Sequence, residues 1–223
     1  MAAKSLQELF VEELRDMYDG ERRLTKALPR MAKAADSEEL GAAFTNHLRE
    51  TEKQVQRLEH VFRTLGEPVR GKTCDGIMGI VEEGKHAMDE LHGSVLDAAL
   101  IAGAQKVEHY EIASYGTLAY FAEVLGQDQA KELLGQTLEE EKAADETLST
   151  IAKSSVNRAA LMAAGNEDEQ QALARSSRGS GARRMASKGS RVNSSRAMAS
   201  DRSRGGVRGN AGGRRRSRST RSR

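Results

Sequence analysis

The chain holds a single cysteine, Cys74, among its 223 residues. An intramolecular disulfide framework is therefore excluded. It has no run of apolar residues long enough to span a bilayer, which needs about 18 or more. The opening MAAKSLQELF lacks the apolar core of a secretory leader. The expectation is a cytoplasmic protein with no membrane association. Strand signals are missing too. Val, Ile and aromatic residues nowhere alternate with period two, and Phe and Tyr number only four each. With two prolines, Pro29 and Pro68, few positions can interrupt a helix.

Acidic residues are scarce at one end and abundant at the other. Residues 1–153 carry 18 Lys and Arg against 29 Asp and Glu, and residues 154–223 carry 17 against 4. The net charge of +2 thus hides an acidic body and a basic tail, and the asymmetry is the informative quantity. The division expected is a folded body over residues 1–155 and a low-complexity tail over residues 156–223.

What the body has is helical periodicity. Ser5 and Glu8 form a capping box for a helix running to Ala35, with apolar residues at Phe10, Leu14, Met17, Leu24 and Leu28. Pro29 lies inside it and is expected to kink or loosen it. A second helix starts near Ser37, with Asp36 and Glu39 as a candidate box, and stops at Gly66–Pro68. Residues 69–94 form a connection that includes a short helix from Asp75 to Leu91. Ser94, with Asp97, is expected to cap a third long helix that ends at Gly126, and Asp128 opens a fourth that reaches Ala152. Two hairpins of long helices joined by one long crossover make an all-α, ferritin-like four-helix bundle with a short extra helix.

Carboxylates interrupt the apolar stripes. Glu111 has Leu100, Ala104, Val107, Tyr115, Leu118 and Ala122 as its same-face neighbours. Glu21 and Glu141 are centred in the same way, and Glu50 lies toward the edge of its stripe. Glu21 and Glu50 each stand about 14 residues from the first turn, and Glu111 and Glu141 about 15 from the second. At ~1.5 Å per residue all four are level, ~21–23 Å from their turns. One such residue would be explained by a salt-bridged rim position. Three centred and four level carboxylates favour cations in the core, because buried carboxylates otherwise repel each other or give up their charge. This is the carboxylate geometry of di-iron and di-manganese bundles. Two Fe or Mn ions are the expected cofactors, since an oxygen-rich site suits hard cations.

The histidines usual in such sites are absent. Lys53 and Ala144 occupy the positions three residues after Glu50 and Glu141. Asp145, one turn beyond Glu141, and His47, three residues before Glu50, are the first substitutes. Each fits ligation and a surface or hydrogen-bonded role about equally. Gln54, Glu108 and His109 are further substitutes.

The stretches ELRDMYDGERRLTKALPRM, HLRETEKQVQRLEHVF, VEHYEIASYGTLAYFAEVLG and LEEEKAADETL resemble the YciE/YciF-type ferritin-like proteins of bacteria, over about residues 5–153. The resemblance implies a fold similar to ferritins and rubrerythrins, an association with stress responses and a homodimer. Carried over by position, the metal carboxylates fall on Glu21, Glu50, Glu111 and Glu141.

The tail lies outside the resemblance. Residues 171–223 hold 16 Lys and Arg and one acid, Asp201. From Ser176 the chain is mostly Ser, Gly and Arg, with too few apolar residues to bury, and is expected to be disordered. Its cations, among them Arg183, Arg184, Lys188, Arg214, Arg215, Arg216, Arg218, Arg221 and Arg223, are expected to bind DNA or RNA non-specifically by releasing counterions. The competing role is a solvated arm that aids solubility or docks on its own acidic body. No aromatic residue lies in it, so stacking on single-stranded bases has no support. Two functions follow. One is a stress-associated di-metal oxidoreductase that reacts with peroxide or oxygen, in ferroxidase or peroxidase fashion, with Tyr115 or Tyr18 near the metals. The other is a non-catalytic dimeric stress protein whose tail coats nucleic acid.

Overall fold

The structure is a computed structural model and describes residues 4–163. Those residues form helices α1 (Leu6–Ala34), α2 (Glu38–Thr64), α3 (Asp75–Glu90), α4 (Gly93–Val124) and α5 (Asp128–Ile151), and no strand. Among the described residues the fold is all-α, as the periodicity implies. α1 pairs with α2, and α4 with α5, as hairpins. The hairpins pack together through α1 on α4 and α2 on α5. No helix among the described residues is long and apolar enough to cross a membrane.

Local chemistry sets the helix ends. The Ser5 hydroxyl accepts from the Glu8 N–H at 3.1 Å, and Ser37 from Leu40 at 3.3 Å. α2 and α4 end alike. Gly66 and Gly126 have φ of 69° and 68°. Their N–H groups reach Arg63 and Glu123, while the next residues, Glu67 and Gln127, reach back to Phe62 and Ala122. This is the Schellman pattern, which needs a left-handed residue that glycine supplies without strain.

Three expectations change. α1 runs unbroken through Pro29. Ser37, and not Asp36, caps α2. α4 begins at Gly93, after His92, and Ser94 does not cap it. Asp97 is used elsewhere: its buried carboxylate accepts the N–H groups of Asp36 and Ser37 at 2.8 and 2.9 Å. It therefore ties the start of α4 to the α1–α2 turn.

The crossover returns along α1. Lys72 N–H bonds Arg15 C=O, and Cys74 N–H bonds the Asp19 carboxylate. α3 then packs on α1 and α4. α5 passes into a π-helical turn, Ala152–Val156, and residues 157–163 are helical. Val156 is buried against Leu148 and Ile151, so the core runs past Lys153. From residue 164 onward the chain, including the tail arginines and lysine named above, lies outside the described residues.

Two apolar clusters fill the bundle. One holds Leu24, Leu28, Phe44, Leu100, Val107 and Leu148. The other holds Phe10, Leu14, Met17, Leu58, Leu118 and Leu134. Each fully buried Leu or Phe contributes roughly 1.5–3 kcal/mol. On every long helix the residues between the two clusters are polar and buried: Glu21 on α1; His47, Thr51 and Gln54 on α2; Glu108 and Glu111 on α4; Thr137 and Glu141 on α5.

Candidate metal centre

The polar layer places acids where water does not reach. Glu21 and Glu141 are 0% exposed, Glu111 1% and Glu108 2%. One ligand atom from each of His47, Glu108, Glu111 and Glu141 lies within 4.8 Å of the others. His47 Nε2 stands 3.4 Å from Glu108 Oε1 and 3.8 Å from Glu141 Oε2. Glu21 flanks this group, and its Oε1 accepts from the buried Tyr115 hydroxyl. Buried oxygens are normally hydrogen-bonded. Here Oε2 of Glu21, Oε2 of Glu108, Oε1 of Glu111 and both oxygens of Glu141 have no hydrogen-bond partner.

Burial, and then repulsion by Glu141, pushes the Glu21 carboxyl up to about 8. Burial raises Glu108 to about 8 and Glu141 to about 9. Burial together with Glu21, Glu141 and Glu108 drives Glu111 well above the carboxylate range. Burial opposes charge on His47, but Glu50, Glu141 and Glu21 outweigh it and raise the imidazole. At neutral pH the layer therefore takes up protons when no cation is present. Beside it, Arg57 grips Glu140 with two hydrogen bonds of 2.8 Å and donates to Thr137 at 2.7 Å. Gln54 Nε2 donates to the same Glu140 at 3.1 Å.

Of the residues expected from the sequence, Glu111, Glu141 and His47 converge, with Glu21 beside them. Glu50 does not join. Its side chain is 46% exposed and meets only the outer nitrogen of His47, at 3.5 Å. The reason is angular. The inward face of α2 runs His47, Thr51, Gln54 and Leu58, and Glu50 sits about 70° off that line. Asp145 also stands outside the group. Its carboxylate accepts from Gln105 at 3.2 Å and lies 3.5 Å from His109. Glu108, named only as a substitute, belongs to the cluster. Its spacing of three from Glu111 puts both on one face of α4.

Two openings reach the cluster. One, of about 230 Å³, has a mixed lining: His47, Glu50 and Glu108 on one hand, Phe44, Ala143 and Leu148 on the other. An apolar gap of about 50 Å³, between α1, α3 and α4, is lined by Leu28, Val81, Leu100 and Gly103 and also reaches His47 and Glu108.

Residues 5–161 match the family described as Domain of unknown function (DUF892). YciF of Escherichia coli K12 is 44% identical over 162 residues, covering 72% of this chain and 98% of that protein. The crystal structure of the E. coli stress protein YciF superposes with a TM-score of 0.67, covering 70% of this chain and 99% of that one. YcfI from Rhodopseudomonas palustris gives 0.65 at 45% identity, covering 67% and 96%. A protein from Xanthomonas campestris, 20% identical, shares the fold with a TM-score of 0.55, covering 74% and 99%. By profile and by identity over the whole helical body, the chain belongs to the DUF892 family.

Proposed function

We propose that this protein is a ferritin-like di-metal bundle that binds two Fe or Mn ions in its polar layer and reacts with peroxide or oxygen. The observation that carries the reading is the set of five buried carboxylate oxygens without hydrogen-bond partners, contributed by three helices beside one imidazole. Carboxylates and an imidazole suit Fe or Mn, and a soft-ligand metal would want sulfur. Glu108, Glu111, Glu141 and His47 would hold the ions, with Glu21 as the flanking carboxylate. When bound, the metals supply electrons to the oxidant. The chain's own part is to keep bulk water out, to hold a proton on the Tyr115 hydroxyl against Glu21, and to fix the α2–α5 seam through Arg57 and Glu140. The opening that carries Glu50, His47 and Glu108 in its lining is the entry route for a cation. The stress-protein description of YciF accords with this reading.

The expected result is about two metal ions per chain after reconstitution. Glu111→Ala and Glu141→Ala should each lose most of them by elemental analysis. Unchanged metal in both variants would remove the site.

A second reading rests on the tail's 16 cations within residues 171–223. It has the tail bind DNA or RNA of any sequence, and a homodimer would present two such arms. If six or more cations meet phosphates, affinity falls on the order of a thousandfold between about 50 and 200 mM salt. A chain ended at Ala163, which keeps the buried Val156, should lose duplex binding in an anisotropy titration. Equal affinity for both chains would leave the tail a solubility element.

A further inference from the structure

Between Arg22 and Lys33, α1 carries Arg22, Arg23, Lys26, Arg30 and Lys33 with no acid among them. This happens in a body whose acids far outnumber its cations. Four of the five, joined by Lys85 of α3, line a concave cleft of about 350 Å³ between the two helices. Ala27 and Val81 complete the lining, and Asp19 is the one acid in it. We propose that this cleft is an anion site for a free oligophosphate, a small molecule carrying a chain of phosphates.

The negative charge already present is engaged. The Asp19 carboxylate accepts the Cys74 N–H and the Arg23 Nε–H, and Lys85 pairs with Glu82. Arg22, Lys26 and Arg30 form no ion pair with any described residue, and Arg22 lies over the Tyr18 ring, 5.6 Å from its centroid. Elsewhere in the described body Arg15, Arg57, Lys106, Lys131 and Lys142 each meet a Glu, while other cations unpaired among the described residues, such as Arg49, Lys53 and Lys72, lie outside this cleft. Favourable contact with the helix dipole does not explain the run. That effect is confined to the last turn, and Arg22 and Lys26 lie well before it. Cations at 22, 26 and 30 repeat at intervals of four, where like charges repel and weaken a helix. A bound polyanion turns that repulsion into attraction.

The form of the cleft selects the anion. Successive cations along α1 are ~6 Å apart, which matches several linked charges better than one carboxylate. The volume lies within the range of small-molecule sites, roughly 300–1,000 Å³. A concave cleft walled by α3 suits a small molecule better than a duplex.

The test uses the full chain with sodium tripolyphosphate, read by lysine acetylation and mass spectrometry, so that each residue reports separately. Protection of Lys26 and Lys85, with Lys131 and Lys142 unchanged, is the expected result. Calorimetry should show the Lys26→Ala/Arg30→Ala variant binding at least tenfold more weakly, while Lys131→Ala binds as the wild type. Uniform protection of all lysines would overturn the site, as would binding in the double variant within twofold of wild type. Duplex DNA protecting Lys26 where tripolyphosphate does not would overturn it too. The footprint is read on metal-free and metal-loaded protein alike, and metal content is measured separately. A failed metal centre and a failed anion site are therefore distinguishable.

Discussion

Glu111 keeps its place in an apolar face of α4 either by holding a proton or by meeting a cation. The same holds for Glu21, Glu108 and Glu141, whose carboxyls stand at about 8, about 8 and about 9 when buried. Against an unfolded value near 4.5, the folded state binds more protons throughout the interval between. Stability is therefore fully present below about pH 4.5 and is lost as pH rises through 8 to 9, by about 1.4 kcal/mol per pH unit for each proton concerned. The raised His47 acts in the same direction. Asp19 and Glu140, lowered although burial opposes it because Arg23 and Arg57 hold them, lose their contribution only as pH falls below the carboxylate range. The metal-free protein is expected to melt higher at pH 5.5 than at pH 8 in calorimetry. A melting point that falls steadily from pH 8 to 5.5 would contradict a buried acid cluster. Glu21, Glu111 and Glu141 were legible in the sequence because each interrupts an otherwise apolar stripe. His47 was harder to read. The buried face of α2 near the site is itself polar, through His47, Thr51 and Gln54, and a count of apolar residues passes over it.

Helix ends divide in the same way into what a local pattern reveals and what only packing decides. Ser5, Gly66 and Gly126 act within their own turns, so sequence spacing is enough to find them. Asp97 acts on residues about sixty positions away, and its place inside α4 makes it look like a capping residue for that helix. Its carboxylate is the partner of two backbone N–H groups in the α1–α2 turn. Asp97→Ala leaves both without a partner and is expected to cost about 2–4 kcal/mol, read as a lowered urea midpoint with an unchanged slope. Asp97→Asn, which retains one acceptor oxygen, should recover part of that. A loss below about 0.5 kcal/mol for the alanine variant would mean that water replaces the carboxylate.

For the whole molecule, the length and order of helices made the bundle and its crossover legible, whereas the exchange of Glu50 for Glu108 depended on how four helices rotate against one another. That rotation is set by the two apolar clusters and by the Arg57–Glu140 contact, which join elements far apart in sequence. The up-down-down-up path has a further effect. Glu21 and His47 belong to the first hairpin, and Glu108, Glu111 and Glu141 to the second, so the complete ligand set exists only after the hairpins have docked. On the di-metal reading, a cation then works as a latch across the seam: it slows the parting of the halves and leaves the formation of each hairpin unchanged. Saturating Mn should slow unfolding by at least tenfold in a stopped-flow urea jump and leave refolding within about twofold. If metal instead accelerates refolding as much as it slows unfolding, the ligand set assembles before docking. With the latch in place, the lifetime of a folded copy follows the metal supply around it, and the amount of intact protein becomes a running record of available iron or manganese.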